Sequence, residues 1–198
     1  MWLEWQKYDS QMHISMMQAN PDALSTSSLN VARLQIFSNM VSRQGNGLKI
    51  VDIGCGDGVV SEPIVKMGNY VASVELPEIA AIAQKCGASS VVAGDAENLA
   101  FASNSVDVVL ASEVVEHLWN PQEFLDEAHR ILRINGYLII ETPEGEGSLY
   151  YDSHKHYFTV EILTHMLKEG FSLLEVKRLK PTGNAQTPTI IVLFSKSA

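Results

Sequence analysis

Cysteine is nearly absent from this chain, with two in 198 residues, Cys55 and Cys86. Two thiols supply neither a disulfide framework nor the paired spacing of a zinc site, which excludes a small stapled fold. Basic residues are scarce too: 14 Lys and Arg stand against 23 Asp and Glu, a net charge of −9. A surface of that sign repels phosphate backbones, and no Lys/Arg cluster offers the local patch that a nucleic acid would need. Long hydrophobic runs are missing as well. Nowhere do about 18 apolar residues follow one another, and the opening MWLEWQKYDSQMH lacks the apolar core of a signal peptide. These absences lead us to expect a cytoplasmic protein with no membrane span. What the chain does hold is ample: 46% hydrophobic and 19% charged residues suffice for one domain with a full core.

Short apolar runs alternate with amphipathic segments along most of the length. KIVDIG (49–54), YVASVEL (70–76), SSVVAGD (89–95), VDVVLASE (106–113) and GYLIIET (136–142) read as strands. VVSEPIVKMG (59–68), PEIAAIAQKCG (77–87), PQEFLDEAHRILR (121–133) and TVEILTHMLKEGF (159–171) read as helices, the second opening on Pro and closing on Gly. Strands that are apolar throughout, separated by helices, imply a parallel sheet covered on both faces. The last two runs, SLLEVKRLK (172–180) and PTIIVLFSK (188–196), are joined by the turn chemistry of PTGNAQT (181–187), so they predict an antiparallel hairpin at a sheet edge. The expected fold is α/β: a doubly wound, mainly parallel, seven-stranded sheet with an antiparallel C-terminal hairpin. Upstream, LNVARLQIFSNMV (29–41) predicts a helix before the first strand, and residues 1–28 a helical or mobile extension able to serve as a lid. The expected division is therefore an extension over 1–28 and one domain over 29–198.

IVDIGCGDGVV (50–60) sets glycines at 54, 56 and 58 directly behind the first strand. In a doubly wound sheet, ligands sit beyond the carboxyl ends of the strands, and a glycine-rich turn lets main-chain N–H groups reach them. A dinucleotide fingerprint, G-x-G-x-x-G, would need a third glycine at position 59, which is Val59. The observed G-x-G-x-G spacing weakens a nicotinamide reading. Glu75, at the end of the second strand, offers one carboxylate able to accept both hydroxyls of a ribose. Together these predict nucleoside binding without choosing the nucleotide.

The choice comes from a resemblance. VDIGCGDG (51–58), with GDAENLAFASNSVDVVLASEVVEHLWNPQEFLDEAHRILRINGYLII (94–140), resembles the class I S-adenosylmethionine-dependent methyltransferases, and the likeness extends over roughly residues 29–196. It implies a Rossmann-like methyltransferase fold with S-adenosyl-L-methionine as cofactor. By that resemblance Asp52, Gly54, Cys55 and Gly56 line the methionine part, Glu75 holds the ribose, Asp95 and Ala96 read the adenine, and Ser112 lies near the sulfonium. Gly58, Leu76 and Glu97 complete the implied cofactor set. LNVARL (29–34) is similar to the segment before the first strand in the ubiquinone-biosynthesis O-methyltransferases, which implies that Arg33, three residues after Asn30, pairs with the cofactor's carboxylate. EVVEHLWNP (113–121) is similar to the same subfamily after its fourth strand, where two Glu and one His can hold a divalent ion. Ubiquinone precursors thereby become a candidate substrate class.

Methyl transfer from a sulfonium asks the protein chiefly to align the acceptor with the S–CH₃ bond, and such positioning can supply about 7–11 kcal/mol. An oxygen acceptor must also lose a proton, to a metal-activated site or to a general base worth roughly 10²–10⁴ in rate. Glu113, Glu116 and His117 follow the fourth strand, and an i, i+3, i+4 set shares one face if the segment is helical. DSHKHYFT (152–159) adds His154 and His156 from the same sheet edge. These five are the candidate catalytic residues. Mg²⁺, Mn²⁺ and Zn²⁺ would suit such donors about equally, but without a metal the same groups cap helices or touch substrate; no metal is assigned. The cluster is also similar to that of metal-dependent methyltransferases acting on the terminal 2′ oxygen of small RNAs. The expected function is methyl transfer to an oxygen or nitrogen of a small-molecule acceptor, by a monomer or homodimer. The alternatives are a metal-dependent RNA 2′-O-methyltransferase, which the acidic surface disfavours, and a non-catalytic S-adenosylmethionine-binding partner.

Other residues have plainer readings. His13, His129 and His165 suit surface or packing roles, and Met12, Met16 and Met17 ordinary packing. Trp2, Trp5 and Tyr8 either pack on the domain or close over the adenine. Cys55 fills its loop. Glu123 and Glu127 read as solvated helix faces, as does Glu97 apart from its place in the cofactor set.

Overall fold

The structure, a computed structural model, describes residues 28–86, 90–181 and 187–197. Its spine is β4 (Val106–Ser112), where Val108, Val109, Leu110 and Ala111 are all fully buried, so both faces of the strand meet apolar neighbours. β1 (Lys49–Ile53) and β5 (Leu132–Pro143) flank it in parallel. β2 (Tyr70–Glu75) and β3 (Val91–Ala93) extend the sheet on one side. On the other side β7 (Thr189–Lys196) runs antiparallel to β5, and β6 (Phe171–Leu179) closes the edge antiparallel to β7. The order is β3-β2-β1-β4-β5-β7-β6 in one seven-stranded sheet. The doubly wound sheet and its C-terminal antiparallel hairpin are as the sequence predicts; residues 182–186 of the connecting turn lie outside the described residues.

Two apolar layers hold the helices on. On one face Phe37, Met40 and Val41 of α1 (Ser28–Ser42) and Ile64 of α2 (Ser61–Lys66) pack over Ile50, Val108, Leu110, Ile139 and Ile191. On the other, Phe124, Leu125, Ala128 and Ile131 of α4 (Pro121–Ile131) and Leu163 of α5 (Val160–Met166) cover Val51, Val109, Leu138, Ile140 and Val192. α3 (Pro77–Cys86) lies beside β2 and β3, with Ile79 and Ala83 buried. Each large side chain removed from water in this way contributes about 1.5–3 kcal/mol.

The elements end where local chemistry stops them. Gly68 (φ 86°) and Gly170 (φ 104°) adopt the left-handed region that follows helix ends, and Thr159 caps α5 by accepting the Ile162 N–H. α2 and α5 are shorter than their apolar patterns imply, and β5 is longer. Leu132 pairs with Val106, residues 133–136 bulge out at Asn135 (φ 61°), and the ladder resumes at Tyr137 opposite Val108. A buried ammonium secures this corner: Lys196 Nζ donates to the carbonyls of His129 and Leu132 and to Asn104 Oδ1, each at 2.8–2.9 Å. Among the described residues no helix is long and apolar enough to cross a membrane. The expected lid over 1–28, with its aromatic and methionine residues and His13, lies outside the described residues except for Ser28, the first residue of α1.

Candidate cofactor and catalytic site

The strand order reverses between β1 and β4, so the crevice beyond their carboxyl ends is where such a sheet receives a ligand. β1 runs out at Ile53 into a loop whose three glycines all have positive φ: 64° at Gly54, 52° at Gly56 and 81° at Gly58. Two distinct constraints keep side chains out. A Cβ on Gly54 would lie 2.5 Å from Val114 Cγ2, whereas one on Gly56 would meet no described atom within 4 Å and would protrude into open space. Gly56 N–H donates to Glu75 Oε2 at 3.0 Å, and Glu75 Oε1 accepts the N–H of Leu76 at 2.8 Å. Each carboxylate oxygen keeps a further lone pair for a ligand hydroxyl.

Below the loop, Asp52 is buried and accepts the hydroxyl of Ser61. Burial, and to a lesser degree the nearby Glu75 charge, lifts its carboxyl to about 7 against the pull of Ser61. Cys55 is buried as well, and burial with Asp52 and Glu75 drives its thiol pKa up, so it stays protonated as filling for the loop. Asp95 Oδ1 accepts the N–H of Glu97 at 2.9 Å in the turn after β3, with half-buried Ala96 between them. Glu97 is not merely a solvated face: its Oε1 accepts the N–H groups of Trp119 and Asn120 at 2.8 and 2.9 Å, tying two loops together. Glu127 likewise departs from that reading, since it accepts the Leu99 N–H and pairs with Arg130, which holds its carboxyl below the usual range.

The second half of the site begins where β4 ends. Glu113 takes φ 56°, and a single 3₁₀ turn follows at Val115–His117, so the expected helical face does not form. The strained residue and the tight turn still bring acids inward. Glu116 is fully buried; its Oε2 accepts the Thr142 hydroxyl at 3.0 Å, while Oε1 has no hydrogen-bond partner among the described residues. Burial and the charge of Glu141, partly offset by Arg33, raise Glu113 to about 7, and burial with the charge of Glu113 pushes Glu116 up as well. Arg33 of α1 reaches over the sheet: Nε and Nη2 donate to Glu141 Oε2 at 3.1 and 2.8 Å, and Nη2 to Ser112 Oγ at 2.8 Å.

Histidines come from the segment after β5. The main-chain carbonyl of Glu116 accepts the N–H groups of Lys155 and His156 at 2.8 and 3.2 Å, clamping residues 153–156 against the 3₁₀ turn. His117 Nδ1 lies 3.1 Å from the Ser153 carbonyl, which can only accept, so in the neutral ring Nδ1 carries the proton and Nε2 is the basic nitrogen. The His154 ring meets that of His117 edge-on, 4.8 Å between centroids. Glu116, His117 and His154 can each offer one ligand atom within 4.8 Å of one another, a carboxylate and two imidazoles that would suit a divalent cation. His156 stands outside this trio, with its ring 6.3 Å from that of Phe158.

Residues 51–140 match the methyltransferase domain family. A ubiquinone biosynthesis O-methyltransferase of Azorhizobium caulinodans is 41% identical over 102 residues, 48% of this chain and 40% of that protein. The chain thus carries the methyltransferase domain pattern over 90 of its 198 residues, from β1 into β5. It spans about two fifths of the length of the curated relatives it matches. The chain also shares its fold with two solved structures. The N-methyltransferase NodS of Bradyrhizobium japonicum, in complex with S-adenosyl-L-homocysteine, aligns with a TM-score of 0.75 at 16% identity over 90% of this chain and 93% of that one. The 1,6-didemethyltoxoflavin-N1-methyltransferase of Burkholderia thailandensis, with 1,6-didemethyltoxoflavin and S-adenosylhomocysteine bound, aligns with a TM-score of 0.75 at 19% identity over 98% and 90%.

Of the predicted residues, the fold gathers Asp52, Gly54, Gly56 and Glu75 on the loop side and Glu113, Glu116, His117 and His154 on the other. Val114, which meets Gly54, joins the halves. Glu141, Thr142 and Ser153 escape the sequence reading, although all three are buried and bonded to predicted residues. The one available signal was an acid closing GYLIIET, since a carboxylate in an otherwise apolar strand needs a partner.

Proposed function

We propose that the chain transfers a methyl group from S-adenosylmethionine to an oxygen or nitrogen atom of a small-molecule acceptor. The observation that carries this reading is the Gly56–Glu75 clasp, a bare main-chain turn tied to a buried carboxylate at the switch point of the sheet. The residues fit the cofactor: no described atom lies within 4 Å of a Cβ built on Gly56, which lets a ligand approach the main chain there, and Glu75 retains lone pairs for two ribose hydroxyls. Arg33 pairs with the cofactor's carboxylate, Asp95 and Ala96 border the adenine, and Ser112 lies toward the sulfur. When bound, S-adenosylmethionine supplies an electrophilic methyl carbon. The protein's own task is then to align an acceptor and relieve it of a proton.

His117 serves as the proton acceptor at Nε2, because its Nδ1–H is held by Ser153. Glu113, poised at about 7, can take up or release a proton near neutral pH, where a base is most effective. Glu116 holds the floor through Thr142, Lys155 and His156. An oxygen acceptor is supported by the curated relatives, whose names specify O-methylation, and a nitrogen acceptor by the two N-methyltransferase neighbours. A divalent ion on Glu116, His117 and His154 would lower the acceptor's pKa, and Glu116 Oε1, which has no partner among the described residues, supports that variant of the reaction.

Calorimetric titration with S-adenosylmethionine tests the cofactor site, with binding expected between about 1 μM and 1 mM. No heat with folded protein overturns the proposal. Release of S-adenosylhomocysteine against a panel of hydroxyl and amine acceptors, with and without EDTA, then separates turnover from binding and metal assistance from its absence.

A further inference from the structure

We propose that Glu141 is a positioning residue, which sets the orientation of Arg33 for the carboxylate end of the cofactor and fixes the Ser112 hydroxyl on the side of its sulfur. The inference rests on Arg33 receiving that carboxylate, as proposed above. Glu141 sits in β5 directly after the fully buried Ile139 and Ile140, and its side chain is 1% exposed. A carboxylate at such a place is costly unless it is paired and hydrogen-bonded, and here one of its oxygens is heavily so. A single oxygen, Oε2, accepts Arg33 Nε at 3.1 Å, Arg33 Nη2 at 2.8 Å and the Ser112 hydroxyl at 2.5 Å. Arg33 Nη2 also donates to Ser112 Oγ at 2.8 Å, so three side chains from α1, β4 and β5 close a ring of hydrogen bonds.

That ring has a directional consequence. Arg33 comes from a helix 108 residues away in sequence and is more exposed than its partner, 18% against 1%. Its long side chain would otherwise sample many rotamers, whereas a guanidinium held by Nε and Nη2 has its plane fixed. Ser112, donating to Glu141 and accepting from Arg33, has its hydroxyl rotor fixed too. Both groups are therefore set before a ligand arrives, which lowers the ordering cost of binding. Glu141 acts through these two residues.

The test compares two ligands by calorimetry: S-adenosylhomocysteine, which carries the aminoacyl carboxylate, and 5′-methylthioadenosine, which shares the nucleoside and sulfur but lacks it. Glu141→Ala is expected to weaken S-adenosylhomocysteine about 10–30-fold and 5′-methylthioadenosine less than about threefold. Glu141→Gln, whose amide oxygen can still accept, recovers most of that loss. Arg33→Met produces the same selective loss, and adding Glu141→Ala to it costs nothing further. If Glu141→Ala does not fold, Glu141→Asp keeps the buried charge but withdraws it by one methylene, and carries the same expectation. An unchanged or tightened affinity for S-adenosylhomocysteine in either variant, or an equal loss for both ligands, overturns the proposal. Should Arg33→Met itself show no selectivity, the fault lies in the reading of Arg33.

Discussion

Replacing Glu75 by alanine probes the cofactor half of the site most directly. In the native protein its two oxygens accept main-chain N–H groups from Gly56 and Leu76, and on the proposed reading they also take two ribose hydroxyls. A hydrogen bond to a charged group is worth about 1.5–3 kcal/mol, so two lost on the ligand side set a lower bound near 3 kcal/mol, or about 100-fold in Kd. The unliganded protein loses less, because the loop lies at a cleft where water can replace one acceptor; about 1–2 kcal/mol is expected. Calorimetry with S-adenosylhomocysteine reads the first quantity and urea unfolding the second. Glu75→Gln should fall between, since an NH₂ that can only donate replaces one of the two oxygens that accept from Gly56 and Leu76. A Kd for Glu75→Ala within threefold of the native value would refute the clasp as the cofactor's ribose site.

Three further outcomes follow from other parts of the molecule. His117→Ala should lower turnover about 10²–10⁴-fold while leaving S-adenosylhomocysteine affinity nearly unchanged; a parallel loss of affinity in calorimetry contradicts its role as base. Asp52 keeps its proton to about pH 7 in the native protein but loses it near 3.8 once unfolded. The native state therefore binds more protons between those values, and the Asp52 contribution to ligand-free stability should fall by about 2.5 kcal/mol as pH rises from 5 to 8. Asp52→Asn should flatten that slope in thermal melts, and an unaltered slope rejects the assignment. Lys196→Met leaves the His129 and Leu132 carbonyls without their ammonium donor, which should cost about 2–4 kcal/mol in urea unfolding. Turnover per folded molecule should stay unchanged, because the lysine caps α4 away from the cleft.

How much of this was legible in the sequence depends on the range of the interaction. VDVVLAS announces itself as a doubly covered strand because burial on both faces leaves no polar alternation. The glycine loop and Glu75 are legible for a similar reason, as they are fixed by a strand end and a turn close by in the chain. The 3₁₀ turn at Val115–His117 is less so: spacing alone cannot distinguish one tight turn from a helix, and nothing local predicts φ 56° at Glu113. Glu141 and Arg33 meet across 108 residues, so Glu141 reads as an ordinary strand end, and Arg33 is named only through the resemblance of LNVARL, until the sheet order is known. The extra length of β5 has the same origin, because its first pair, Leu132 with Val106, is set by the neighbouring strand.

Because the carbonyl of Glu116 is shared by the amides of Lys155 and His156, the two stretches that would face an acceptor form one mechanical unit. Exchanging one stretch alone would work only where the imported main chain keeps the path of these two amides and this carbonyl. Grafts that carry 113–119 together with 150–158 should be the ones that fold and acquire a new acceptor preference.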